Sequence, residues 1–130
     1  RIALAVGRAN GCEYCLAAHS TIGKMVGLTA DQILDSRRGT SVESKSAAIV
    51  QFARQVLDKQ GRLSDADLAD ARIAGLDDAA IAEVVGNVAL NIFTNYFNHV
   101  AATDIDFPKA EPIVDHHEVC ATIPGCDQTR

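Results

Sequence analysis

DDAAIAEVVGNVALNIFTNYFNHVAAT, residues 77–103, is the stretch that decides the fold. Asp77 is a helix-capping residue type, and no Pro interrupts the run. Ile81, Val84, Val85, Val88, Ile92, Tyr96 and Val100 recur at helical spacing. The segment therefore predicts a long amphipathic helix, about Asp78 to Thr103. It also carries Asn87, Asn91 and Asn95 at four-residue intervals, followed by Asn98 and His99. Asn is a poor interior helix residue, because its amide competes for backbone groups. Two readings fit this row: a solvated face, or a polar seam against another helix, another subunit or a site.

Working back from that helix, start and stop signals divide the chain. Ile2 to Ala9 is mostly apolar and ends at the turn pair Asn10-Gly11. Asn10 with Glu13 reads as a capping box opening a helix from about Gly11 to Val26. Thr29 with Gln32 opens a short helix to Arg38, closed by Gly39. Thr40 with Glu43 opens Ser41 to Gln60, closed by Gly61. Ser64 caps Asp65 to Ala74, closed by Gly75. All three prolines, Pro108, Pro112 and Pro124, lie near the end of the chain, and Ala is plentiful before them. No segment alternates with period two. The expectation is an all-α single domain of about five or six helices over residues 1–108, with an irregular tail at 109–130.

Composition bounds the function. The chain has 130 residues, 48% hydrophobic and 22% charged, as expected of a globular protein with a real core. Its net charge of −5 argues against sequence-independent nucleic-acid binding, which needs clustered Lys and Arg. No apolar run approaches the roughly 20 residues of a membrane span. No secretion signal opens the chain, and a cytoplasmic location is the expectation.

Chemistry is concentrated in Asn10-Gly11-Cys12-Glu13-Tyr14-Cys15-Leu16-Ala17-Ala18-His19, a C-x-x-C-x-x-x-H spacing. On a helix, Cys12 and Cys15 are three apart and Cys15 and His19 four apart, so all three share one face. Cys12 would sit near the second helical position, where free N–H groups and the positive end of the dipole favour a thiolate. Cys15 lies deeper but has His19 as base or counter-ion. The two arguments favour different cysteines, and spacing does not choose between them. A redox dithiol, a metal site and a pair of buried small hydrophobes all use these residue types. A zinc site would need further ligands, from His99 or the tail. In the tail, His116, His117, Cys120 and Cys126 could supply a metal site or a resolving thiol.

At these residues the chain resembles the alkylhydroperoxidase D-like (AhpD-like) group of the carboxymuconolactone decarboxylase superfamily. The likeness is carried by Ala5 through Cys15 and His19, and is supported by Phe93 to His99 and by Asp106-Phe107-Pro108. Plain carboxymuconolactone decarboxylases lack the cysteine pair. The resemblance implies an all-α fold assembled as a homo-oligomer, a trimer or hexamer, and a thiol-dependent peroxidase acting on small organic hydroperoxides. It implies that Cys15 is the peroxidatic thiolate, that His19 belongs to its proton relay, and that Cys12 resolves the sulfenic acid. No bound cofactor is implied; an external dithiol, a lipoyl group on a partner protein in the best-studied members, supplies electrons. Some members carry His between the cysteines, where this chain has Tyr14. The relay glutamate of the group falls at the position before Arg1. A non-peroxidatic thiol-disulfide oxidoreductase, a redox sensor and a Cys/His metal-binding module are the alternatives.

Overall fold

A computed structural model describes residues 1–113. Six helices follow one another: α1 (Ile2–Ala9), α2 (Glu13–Met25), α3 (Ala30–Arg38), α4 (Ser44–Asp58), α5 (Asp65–Ile73) and α6 (Asp78–Ala101). No strand occurs among the described residues. The all-α expectation holds. The tail residues His116, His117, Cys120 and Cys126 lie outside the described residues.

Every helix but α6 stops in the way its sequence announces, near a glycine. At the end of α1 the Gly11 N–H donates to the Arg8 carbonyl and the Cys12 N–H to the Gly7 carbonyl. This is a Schellman motif, which satisfies carbonyls that the helix leaves unpaired. It requires a left-handed residue, and Gly11 supplies it at φ 65°. At the end of α6 the left-handed residue is Ala102, with no glycine at hand. Helix starts follow their signals at three places. Thr29 with Gln32 and Ser64 with Asp67 form complete capping boxes, and Asp77 accepts from the Ala80 N–H.

Two expected boxes do not form. Asn10 is the last residue of the α1 cap, so the start of α2 passes to Cys12. Glu43 itself caps α4, which begins at Ser44 rather than Ser41. Its carboxylate accepts hydrogen bonds from the Arg1 guanidinium, at 2.9 Å, and from the Ser46 hydroxyl.

The short helix α1 is the hub. It is apolar on most sides, buries Leu4, Ala5, Val6 and Gly7, and packs on α2, α3, α4 and α6. The main core gathers Val6, Phe52, Ala53, Val56, Leu76, Val84 and Val88. Phe52 is 2% exposed and has nowhere to collapse from. Replacing it with Ala is expected to cost about 3–5 kcal/mol, read as a lower urea midpoint with unchanged slope.

The face that α6 turns inward differs from the expected stripe. Val84 and Val88 are buried, but so are Asn91 and Asn95, whereas Tyr96 and Val100 are exposed. The solvated-face reading of the Asn row fits Asn87 only. Further along, Asn95 and Asn98 form a polar seam against the cysteine segment.

Candidate redox site

The Schellman turn that ends α1 delivers the chain directly into α2, with Cys12 as its N-cap. The Cys15 N–H donates to the Cys12 sulfur at 3.2 Å, so sulfur does here what a Ser or Asp oxygen does at other helix starts. The expected position of Cys12 near the second residue of the helix is thus corrected by two places. The correction strengthens the electrostatic argument. A thiolate at this cap would lie against the free N–H groups and the positive end of the helix dipole.

Cys15 is in the first turn of α2, with its Cα 5.2 Å from that of Cys12, and the two sulfurs are joined in a disulfide. Both residues are buried, Cys12 at 1% and Cys15 at 3% exposure. The Asn98 side-chain amide donates to the Cys15 sulfur at 3.4 Å. His19 lies one turn further along α2, on the side of the helix that carries Cys15, and is half-buried. Burial pushes its imidazole pKa below the ordinary value. A histidine held this way is a neutral acceptor at pH 7.

The polar seam of α6 holds the motif from the other side. The Asn10 side-chain amide donates to Asn95 Oδ1 at 2.9 Å, tying the turn before Cys12 to the C-terminal third of α6. Asn95 is fully buried, and Asn98 follows it by three residues. Past α6, the Phe107 ring meets Tyr14 edge-on, with centroids 5.8 Å apart. Between α2 and the end of α6 a cleft of about 260 Å³ opens over the first cysteine, lined by Cys12, Tyr14, Asn98, His99 and Thr103. Of the residues on and facing the motif, Tyr14, Asn98 and His99 line this cleft. Leu16 and Asn95 do not; both are buried in packing.

Cys12 and Cys15 are therefore brought together as their spacing predicts. Asn98 is the residue that spacing alone does not find, because its contact with Cys15 spans 83 positions. Its visible signal was the unexplained Asn row. Among the described residues, no three His, Cys, Asp or Glu side chains converge on a point that could hold a metal ion. No helix is long and apolar enough to cross a membrane, again among the described residues.

Residues 1–59 match the model of the Carboxymuconolactone decarboxylase family, a stretch that spans α1 to α4 and includes both cysteines and His19. No curated protein matches the chain.

Proposed function

We propose that this chain, a carboxymuconolactone decarboxylase family member through its first four helices, is an AhpD-like thiol peroxidase that reduces organic hydroperoxides with Cys12 and Cys15. The observation that carries the reading is the cysteine pair itself: two buried sulfurs close enough to bond, at the start of one helix. The decarboxylation for which the family is named passes no electrons to or from the protein, so a dithiol would have no part in it.

The chemistry runs in four steps. His19 takes the Cys15 thiol proton, directly or through water. The Cys15 thiolate attacks the terminal peroxide oxygen; a sulfur–oxygen bond forms, the oxygen–oxygen bond breaks, and the departing alkoxide takes a proton to become the alcohol. The Cys15 sulfenic acid then condenses with the Cys12 thiol, releasing water and forming the disulfide. An external dithiol, a lipoyl group in the best case, restores both thiols by exchange and is itself oxidised to a disulfide. Of the two cysteines, Cys12 is the one among the residues lining the cleft, which supports its role as the point where the reductant enters. The Asn98 amide, donating to Cys15, would stabilise the thiolate and hold it in register. Such a cycle needs a supply of reduced dithiol, which the cytoplasm offers.

Assembly of several copies is part of the proposal. Leu90, Phe93, Tyr96, Phe97 and Val100 are exposed along α6. Apolar surface on this scale is a usual mark of an interface, and a trimer or hexamer would cover it.

The test is a thiol titration before and after one equivalent of an organic hydroperoxide. Loss of two thiols, mapped to Cys12 and Cys15, with alcohol released and turnover on adding dihydrolipoamide, is the expected result. Disulfide formation without peroxide turnover would leave a thiol-disulfide oxidoreductase instead.

His19 gives a pH signature. Burial lowers its pKa, so it stays a competent base down to pH values below the ordinary 6.5 and loses activity only as pH falls through the lowered value. The acid limb of kcat/KM should therefore lie below about pH 6.5. His19→Gln should slow the reaction by about a hundredfold and move that limb up toward the pKa of an unassisted thiol, about 8.5. An unmoved limb would remove His19 from the relay.

A further inference from the structure

A second cavity, away from the cysteines, lies between α2, α3 and the segment 108–113 that follows α6. Its volume is about 700 Å³, in the range of small-molecule sites. Its rim and walls carry Lys24, Arg37, Arg38 and Lys109 against two carboxylates, Asp31 and Glu111. This excess of positive charge stands out on a chain whose net charge is −5.

Arg37 is the telling residue. It is 7% exposed, and its Nε is buried with no hydrogen-bond partner among the described residues. The ion pairs among the described residues, Arg1–Glu43, Arg54–Asp58, Lys59–Asp67 and Arg72–Asp78, leave it out. Ser20, on the same cavity, has a buried hydroxyl that is also without a partner among the described residues. A guanidinium removed from water is costly unless an anion meets it. Burial lowers the Arg37 pKa, and Arg8 and Arg38 add repulsion that Glu111 only offsets.

We infer that this cavity binds a small organic acid, with its carboxylate on Arg37 and Ser20 and its apolar body on Met25, Ile33 and Leu34. The guanidinium fork matches a carboxylate in two parallel hydrogen bonds, and the Ser20 hydroxyl can donate a third. A bare ion would fill little of the volume, and the apolar walls would gain nothing from it.

Calorimetric titration with octanoate tests this, with acetate and octanol as controls. One octanoate should bind per chain, at least tenfold tighter than either control. Arg37→Gln, with its fold checked by circular dichroism, should weaken octanoate at least tenfold, and Ser20→Ala less. Should Arg37→Gln fail to fold, the wild-type protein still decides: the Arg37 Nε–H resonance must shift with octanoate and stay put with octanol. Absence of saturable binding, equal binding of octanol, unchanged affinity in a folded Arg37→Gln, or an unmoved Nε–H signal would each overturn the inference. So would dissociation of an oligomer by Arg37→Gln, which would place the partner of Arg37 in a second copy.

Discussion

Cys15→Ser is expected to reduce peroxide turnover with a dithiol reductant to background, a loss of more than about a thousandfold. The substitution is mild for the fold. Cys15 lies in the first turn of α2, where Ser is an accepted residue, and its own N–H bond to the Cys12 sulfur comes from the backbone. The Asn98 amide keeps an acceptor at Oγ. What changes is the nucleophile. A serine hydroxyl is not ionised near pH 7, and its oxygen cannot form a sulfenic acid or a disulfide. The measurement is hydroperoxide consumption under saturating dihydrolipoamide, beside a urea transition to confirm that the fold is kept. Retained turnover in a folded Cys15→Ser would transfer the peroxidatic role to Cys12, whose place at the helix cap also favours a thiolate.

That choice between cysteines shows what a sequence can and cannot say here. Helix identity is local, so glycine stops and Ser, Thr and Asp starts placed α3, α5 and α6 closely. The same local grammar misread α2. Asn10 with Glu13 has the spacing of a capping box, but the Schellman turn of α1 had already used Asn10 and Gly11, so the cap moved to Cys12. Periodicity gave the length of α6 but not its inward face. Four-residue spacing is shared by the valines and the asparagines, and burial of Asn91 and Asn95 depends on what α1 and α2 present to them. The proximity of Cys12 and Cys15 was legible because three residues on a helix start cannot be far apart. Asn98 was not, because nothing near it in sequence names its partner, 83 residues away.

Cys12→Ser should separate the first chemical step from the cycle. Serine is a better helix N-cap than cysteine, and its oxygen can accept the Cys15 N–H in place of sulfur. The start of α2, and with it the position of Cys15 against Asn98, should therefore survive; thermal stability of the reduced proteins is expected to stay within about 1 kcal/mol. Peroxide should still oxidise Cys15, since His19 and Asn98 are untouched, so one equivalent of alcohol is released in a burst. The sulfenic acid then has no neighbouring thiol to condense with. It should accumulate, detectable by dimedone trapping at Cys15, and go on to the sulfinic acid when peroxide is in excess. Steady-state turnover with dihydrolipoamide should fall by about a hundredfold or more, because an encounter between two molecules replaces an intramolecular step. A full steady-state rate in Cys12→Ser would mean that the external dithiol attacks Cys15 directly and that the disulfide is not an intermediate. Loss of the burst as well would mean that the Cys12 sulfur, and not merely a cap at that position, is needed to ionise Cys15.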